Sequence, residues 1–268
     1  YEHACGDQPR VEHGFCLDDV ARGLVVVARQ PDGDATRELL VAAYLSFTLA
    51  AQDARGRFRN RRRADGRWRE PASTGDHWGR ACWALGVAAG ALPGQDRSRA
   101  AEAARRALGQ RCVHRRSSAY AAIGAAELVA ALGPDPTAGA LLRDVLRAAG
   151  LPWADPVWPW PEPRLTYSNA VLPEALIAIG VALDDEKAVA GGLAALTWLV
   201  EVQLVGGHLS PVPVRGWQVG QPRPGYDQQG IEVAALAEAA WRAHGATGQS
   251  HWLDVVAMAA AWFLGDND

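Results

Sequence analysis

The sequence has little of what marks several large classes of protein. It contains four cysteines, which form neither a CxxC pair nor a dense framework, so no disulfide scaffold is expected. No apolar run approaches the roughly 20 residues that span a bilayer. The N-terminus has neither the basic start nor the apolar stretch of a signal peptide. A reduced, cytoplasmic protein with no membrane partner is therefore expected.

Motifs for nucleotide binding and for nucleophilic catalysis are also missing. No GxGxxG, GxxxxGK[ST] or GxSxG sequence occurs, so no cofactor is expected. The formal net charge of -3 argues against a nucleic-acid partner. His3, Cys5, His13 and Cys16 lie close together, but their spacing does not match the common zinc-finger patterns, and no metal is expected.

Apolar residues recur at helical spacing along most of the chain, whereas the alternation typical of strands is nearly absent. The fold is therefore predicted to be all-α. The pattern predicts helices one to ten at residues 17–28, 35–53, 77–91, 97–112, 117–132, 137–149, 169–183, 186–203, 228–245 and 252–263.

The lengths of the links alternate. Every link from an odd to an even helix is short and rich in turn residues, the first of them at Asp32. The long links, 54–76, 150–168 and 204–227, all run from an even helix to an odd one. Antiparallel hairpins in series place these loops, and the segment before helix one, at one end. Five hairpins predict an α/α-hairpin toroid in one domain over residues 1–268, with odd helices inside; an open solenoid is the alternative.

Acidic or amide residues stand where odd helices begin at this loop-bearing end: Asp18 and Asp19, Asp76, Asn169, and Asp227. Helix capping is one explanation, since Asp and Asn are favoured caps and the helix dipole stabilises acids in the first turn. A shared functional pocket is the other. The surrounding sequence is richer in polar residues than a cap requires, and it includes Arg22, His77, Arg80, Gln228, Gln229 and Glu232.

The long loops also supply tryptophans, namely Trp68, Trp153, Trp158, Trp160 and Trp217. Aromatic faces beside carboxylates and amides suit a sugar, whose C–H faces stack on rings while its hydroxyl groups form hydrogen bonds. Packing of the loops themselves is the alternative use of these side chains.

Eight arginines fall between Arg55 and Arg69, with Phe58 and Trp68 among them. Such a stretch fits an anionic ligand, for example a phosphorylated or acidic sugar. A hydrated basic loop without a ligand is the alternative, because most charge runs are simply solvated.

Five stretches carry a resemblance to a known family: HGFCLDDVAR from His13, GDHWGRACWALG from Gly75, LTYSNA from Leu165, YDQQ from Tyr226 and WFLGDND from Trp262. The chain resembles the helical toroid of the six-hairpin glycosidase superfamily, as found C-terminal to some bacterial group-one glycosyltransferases. This resemblance implies glycoside chemistry, a sugar-containing ligand and a glycosyltransferase partner. Related toroids often carry Glu where this chain has Gly75, and they continue beyond the last stretch into a further hairpin.

A glycoside hydrolase is the leading functional expectation, because cleavage of a glycosidic bond needs one protonated and one ionised carboxyl group. The predicted catalytic carboxyl groups are Asp76 and Asp227, with Asp18, Asp19 and Glu232 as substitutes. The predicted substrate-binding residues are Arg22, His77, Arg80, Trp68, Trp158, Trp160, Tyr167, Asn169, Trp217, Gln228 and Gln229, of which the two arginines would orient carboxylates.

Three other functions remain open. One is a non-catalytic carbohydrate-binding or scaffold toroid associated with a glycosyltransferase. Another is an isomerase resembling the sugar 2-epimerases, which use histidines for proton transfer; His77, His208 and His251 are the histidines in or near candidate helices or loops. A terpenoid cyclase would need a larger aspartate cluster than Asp18 and Asp19.

Overall fold

The computed structural model describes residues 3–31, 33–151, 153 and 155–268, and most of this length is helical. The all-α prediction is confirmed; the predicted turn at Asp32 lies outside the described residues. The described helices are α1 Leu17–Arg29, α2 Ala35–Ala51, α3 Asp76–Ala91, α4 Gly94–Leu108, α5 Arg115–Leu132, α6 Pro136–Ala149, α7 Val171–Leu183, α8 Glu186–Gln203, α9 Gly230–Thr247 and α10 His251–Phe263.

Most helix ends lie within two residues of the predicted ones, and α4 differs most. It begins at Gly94, directly after Pro93, and ends at Leu108, whereas apolar periodicity predicts 97–112. Its first turn has no apolar residue, so the periodicity begins too late there. Beyond Leu108 the chain is irregular up to α5, although Arg111 and Cys112 continue the polar–apolar pattern.

Strand in the described residues consists of three two-residue antiparallel ladders: β1 Ala4–Cys5 with β2 Gln8–Pro9, β3 Phe15–Cys16 with β4 Arg61–Arg62, and β5 Leu204–Val205 with β6 His208–Leu209. The ladder of β3 and β4 joins the segment before α1 to the loop after α2. An isolated bridge between Leu165 and Trp217 joins the loops that precede α7 and α9. These pairings agree with the predicted clustering of long loops at helix starts.

The chain divides into two compact units, one from Tyr1 to Val145 and one from Leu146 to Asp268. In the first unit, α1 packs on α2 and α3, and α3 packs on α4 and α5. In the second, α7 packs on α8 and α9, and α9 packs on α10. Odd helices therefore contact one another as well as their hairpin partners, as an α/α-hairpin fold with inner odd helices requires. No helix of the described chain is long and apolar enough to cross a membrane.

Helices α3 and α5 approach each other so closely that their backbones touch through glycines. A Cβ atom on Gly79 would lie 2.3 Å from the Ser117 carbonyl oxygen, and one on Gly86 would lie 2.2 Å from the Gly124 carbonyl oxygen. Both pairs are 38 residues apart in sequence, so the two helices run parallel. This contact brings the start of α3 beside the start of α5.

We predict that Gly124→Ala destabilises the first unit, because its new Cβ would lie 2.2 Å from the Cys82 carbonyl oxygen. The expected loss is about 1–3 kcal/mol of unfolding free energy, measured by urea denaturation. Gly245→Ala in α9 is the matched control, because its Cβ would meet nothing within 4 Å. That variant should be neutral or more stable by up to about 1 kcal/mol. Equal stability of the two variants would contradict the described packing.

Candidate functional site

Aspartates are used differently at the starts of even and odd helices. Asp34 caps α2 by accepting from the backbone N–H of Thr36, Asp185 caps α8 by accepting from that of Ala188, and Asp135 accepts two backbone N–H groups at the start of α6. By contrast, the residues at the N-cap positions of α1, α3, α7 and α9, all described, form no side-chain cap bond: Cys16, Gly75, Ala170 and Gln229. The acids at these odd helix starts are therefore not N-cap residues.

Asp18 and Asp76 instead lie around one buried arginine. The Asp18 Oδ1 atom lies 2.9 Å from Arg80 Nη1, and only 6% of Arg80 is exposed. The Ser117 hydroxyl donates a hydrogen bond of 2.7 Å to Asp76 Oδ1. The Arg80 guanidinium lies over the ring of Tyr120, 5.4 Å from its centroid. We call these five residues the carboxylate cluster.

The electrostatics of the cluster centre on Arg80. Burial by itself lowers the pKa of Arg80, but the charges of Asp18 and Tyr120, the hydrogen bond that Arg80 donates to Asp18 and the charge of Asp76 outweigh it and raise the pKa above its ordinary value. Arg80 is thus a permanent buried cation, and a buried charge is tolerated only when it is paired. Asp18 and Asp76 therefore form one charged group with Arg80.

Helical spacing explains how three helices build this cluster. Asp76, Arg80 and Trp83 are spaced four and three residues apart and share one face of α3, while Ser117 and Tyr120 share one face of α5. Because α3 and α5 run parallel in close contact, the two faces meet. The Trp83 and Tyr120 rings lie 5.5 Å apart between centroids. The result is a column of charged and then aromatic groups leading from the helix starts inwards.

Two donors in this column lack a protein acceptor. The buried Arg80 Nε and Trp83 Nε1 atoms have no hydrogen-bond partner in the described structure. Buried polar groups are nearly always satisfied, and an exception calls for an explanation such as a water molecule, an ion or a catalytic role. The column therefore offers hydrogen-bond donors beside carboxylates and aromatic faces.

The other residues predicted for the first unit have different surroundings. Asp19 and Arg22 form an ion pair with each other at the surface. His77 Nε2 lies 3.0 Å from the Phe58 carbonyl oxygen and 3.3 Å from Ser73 Oγ. Those contacts fasten the long loop 54–76 onto the start of α3. His77 is thus engaged in a structural contact next to the cluster.

In the second unit, Glu232 holds the loop before α7. Only 4% of it is exposed, and its carboxylate accepts the backbone N–H of Ser168, the backbone N–H of Asn169 at 3.2 Å and the Asn169 Nδ2 at 2.8 Å. Asn169 Oδ1 in turn accepts the backbone N–H of Thr166 at 2.9 Å. Ser168 has a positive φ of 48°, a conformation that this network fixes. Tyr167 next to it is exposed.

Asp227 and its neighbours lie before α9 and do not share one environment. Asp227 is exposed and has a positive φ of 62°, and its carbonyl oxygen accepts the Val214 N–H. Gln228 accepts from Trp262 Nε1 at 2.9 Å and donates to Asp268 at 2.6 Å. Gln229 is exposed at the N-cap of α9. The predicted pairing of Asp76 with Asp227 joins residues of different units and stays a prediction.

The loop tryptophans of the second unit pack on one another. Trp158 lies 5.8 Å from Trp217 and 5.1 Å from Trp198, and Trp160 stacks on Trp198 at 5.7 Å between centroids. Trp198 belongs to α8, so this tryptophan packing fixes the part of the loop around Trp158 and Trp160 to that helix. Trp68 in the first unit similarly packs edge-on against Phe47 of α2 at 5.5 Å.

A groove of about 550 Å³ runs beside this tryptophan packing. Its walls are mostly apolar and include Leu151, Trp153, Pro159 and Lys187. No carboxylate is found among the described residues that line it, and glycoside chemistry needs such groups. In the described residues no group of three or more His, Cys, Asp or Glu side chains could hold a metal ion.

Sequence reasoning missed Asn60, Ser117 and Tyr120. Asn60 Oδ1 accepts the backbone N–H of Asp18 at 3.3 Å and so replaces a cap at the start of α1. Ser117 and Tyr120 follow the one short link from an even to an odd helix, where no long loop marks a site. Ser117 and Tyr120 are three residues apart and therefore share one face of α5, the face that meets Arg80 of α3. That spacing was the signal in the sequence that could have identified them.

The fold has a known relative. The chain is similar to the crystal structure of a sugar epimerase from a ruminal bacterium, with a TM-score of 0.71 and 12% sequence identity over 98% of this chain and 78% of that one. At that identity the likeness concerns the fold alone. No protein-family model matches the sequence. No curated protein matches it either.

We predict that Cys16, directly before the cluster, resists alkylation. Burial, followed by the charges of Asp18 and Asp19, raises the pKa of Cys16 to about 11, so only about a thousandth of it is thiolate at pH 8. Cys5 is exposed and provides the internal control. Brief iodoacetamide treatment followed by peptide mass spectrometry should label Cys5 and leave Cys16 unlabelled. Comparable labelling of both would contradict the described environment.

We also predict that Glu232→Ala lowers stability by about 3 kcal/mol or more, because it leaves buried N–H groups of Ser168 and Asn169 without an acceptor. Glu201→Ala is the control, since Glu201 is exposed on α8 and should change stability by less than about 0.5 kcal/mol. Urea denaturation measures both. A stable Glu232→Ala variant would mean that the carboxylate is not a structural clamp.

Proposed function

We propose that this protein is a carbohydrate-active enzyme, a glycoside hydrolase that acts at the carboxylate cluster of Asp18, Asp76, Arg80, Ser117 and Tyr120. The proposal assigns the reaction to the first unit. It replaces the pair of Asp76 and Asp227 with the pair of Asp76 and Asp18. The charges of Asp76 and Asp18 both act on the buried Arg80, whose pKa they raise.

One observation carries the proposal. Two acids from different odd helices surround a buried arginine that has an unsatisfied Nε donor, beside the indole of Trp83 and the phenol of Tyr120. A sugar needs this combination, since its hydroxyl groups bond to charged and polar groups while its C–H faces stack on rings. The fold likeness to a sugar epimerase supports the same class of ligand.

The chemistry of hydrolysis can be distributed over the cluster. One carboxylate takes a proton from water as the water attacks the anomeric carbon, and a second carboxyl group delivers a proton to the departing oxygen. Asp18, which faces Arg80, fits the role of base. Asp76, which accepts the Ser117 hydroxyl, is then the proton donor: it takes up a proton from solvent before the reaction and gives it to the departing oxygen, and Ser117 positions it.

Epimerisation of a sugar is the second candidate, and the fold likeness favours it. Such a reaction removes and returns a proton at a carbon next to a carbonyl group. His77 follows Asp76 directly and would be the base, but its Nε2 atom contacts the Phe58 carbonyl oxygen. The base would therefore have to act through Nδ1. This requirement places hydrolysis ahead of epimerisation.

We predict that Asp18→Asn and Asp76→Asn each lower turnover about 10²–10⁴-fold, since each removes a group that transfers a proton. The measurement uses a panel of oligosaccharides, with products identified by chromatography and their anomeric form by NMR. Asp96→Asn, an exposed acid on α4 that pairs with Arg99, is the control and should keep full turnover. Thermal melting verifies that all three variants are folded.

The same panel separates the competing functions. Incubation in D2O with reducing sugars would place deuterium on the carbon next to the carbonyl group if the protein is an epimerase, and that label should depend on His77. Sugar binding without any turnover would support the alternative of a non-catalytic binding or scaffold protein that is associated with a glycosyltransferase. Either result contradicts the hydrolase proposal.

A further inference from the structure

The arginine loop, residues 55–69, carries far more positive charge than its surroundings neutralise. It holds eight arginines. The acids in and beside it are Asp53, which pairs with Arg57 at 2.8 Å, Asp65, which pairs with Arg67 at 3.0 Å, and Glu70, which accepts backbone N–H groups. Hydrogen bonds from these partners lower the pKa of both aspartates. Five positive charges remain after the three acids are counted.

This loop is fastened directly to the start of α1. The Asn60 carbonyl oxygen accepts the Leu17 N–H at 2.8 Å, and the Asn60 side chain accepts the Asp18 N–H at 3.3 Å. Arg61 and Arg62 pair with Cys16 and Phe15 in the ladder of β3 and β4. Since consecutive Cα atoms are about 3.8 Å apart, the backbone of Arg59 lies beside the start of α1. The backbone of Arg63 packs on Gly14, four residues before Asp18, where a built Cβ would lie 3.2 Å from the Arg63 Cα.

The arginines of the loop divide into two kinds. Some support the loop: Arg62 donates to the Gly66 carbonyl oxygen and lies over Trp68, and Arg69 donates to the His13 carbonyl oxygen. Others, among them Arg59 and Arg63, have no carboxylate within ion-pair distance among the described residues. Arg63 is exposed and Arg59 is half-buried, and the backbone bonds that shape the turn at Arg63 do not depend on its side chain. These two guanidinium groups are available to a ligand.

Resting on the proposed function, we infer that the arginine loop makes the carboxylate cluster selective for an anionic saccharide, one that carries carboxylate or phosphate groups. The substrate's reacting sugar sits at the cluster, and an acidic group on that sugar or on its neighbour contacts Arg59 and Arg63. Guanidinium groups bind carboxylate and phosphate oxygens with paired hydrogen bonds, which a neutral hydroxyl group cannot reproduce. A neutral substrate would give these arginines no partner.

The charge of the carboxylate cluster opposes an anionic ligand, and the arginine loop offsets it. Asp18 and Asp76 put two negative charges at the site, with Arg80 balancing one of them, and this charge would repel an anionic ligand. A loop with five excess positive charges at its edge reverses the local sign. The overall charge of -3 shows that this positive region is local and does not reflect the composition of the chain.

The test uses matched ligands that differ only in charge: trimers of galacturonate, glucuronate and mannuronate, and the methyl esters of the same trimers. Binding is measured by calorimetry on the whole chain at about 0.02 M and 1 M salt, where the Debye lengths are roughly 20 Å and 3 Å. At least one acidic trimer should bind about tenfold more tightly than its ester at low salt. High salt should reduce this preference.

Arg59→Gln and Arg63→Gln should each weaken binding of the acidic trimer about three- to fivefold, and the ester should be unaffected, since an exposed ion pair contributes up to about 1 kcal/mol. Arg143→Gln is the matched control, because Arg143 is exposed on α6 and loses the same charge. Polyphosphate serves as a non-saccharide polyanion. It should bind much more weakly than the acidic trimer, and Asp18→Asn should leave its binding unchanged.

The outcomes separate this inference from the proposed function. Equal binding of trimer and ester, with turnover still lost in Asp76→Asn, overturns the charge selectivity and leaves the hydrolase intact. Tight binding of polyphosphate, insensitive to the cluster variants and matching that of the trimers, also overturns it, because the loop would then be a general polyanion surface. Failure of every trimer, every ester and every neutral oligosaccharide to bind overturns both proposals.

Discussion

The first unit depends on how it accommodates one buried cation. Arg80 lies on α3, where α5 packs in backbone contact, and only 6% of Arg80 is exposed. An unpaired charge buried in this way would cost several kcal/mol. Asp18 supplies the ion pair, Tyr120 supplies a ring face, and Asp76 adds a second negative charge. A well-packed apolar residue would serve stability at least as well.

The use of aspartate along the chain supports this distinction. At the starts of α2, α6 and α8, Asp34, Asp135 and Asp185 accept backbone N–H groups, which is the ordinary stabilising role of such residues. At the starts of α1 and α3, the same residue type faces side chains of other helices instead. Helix capping and contacts between helices thus use the same amino acid at different helix starts, and the tertiary structure distinguishes the two uses.

The second unit shows polar and aromatic residues in structural roles. The Glu232 carboxylate accepts hydrogen bonds from the loop before α7, and the Glu174 carboxylate of α7 accepts one from Arg242 of α9 at 3.0 Å. The tryptophans around Trp158 pack on Trp198 and so fix the long loop to α8. A substrate-binding role for Trp158, Trp160 and Trp217 remains a prediction, and their mutual packing already accounts for their presence.

The sequence by itself determined the ten helices and the alternation of short and long links, because apolar periodicity and turn residues are local signals that each segment carries on its own. It also marked Asp18, Asp76 and Arg80 as unusual. Only the tertiary structure decided that these three belong together with Ser117 and Tyr120, because that depends on the parallel contact of α3 and α5 through glycines. It likewise decided that Glu232 is a clamp. The grouping of the carboxylate cluster and the role of Glu232 both depend on which helix faces meet. The spacing of residues within one helix does not determine which of its faces a neighbouring helix covers.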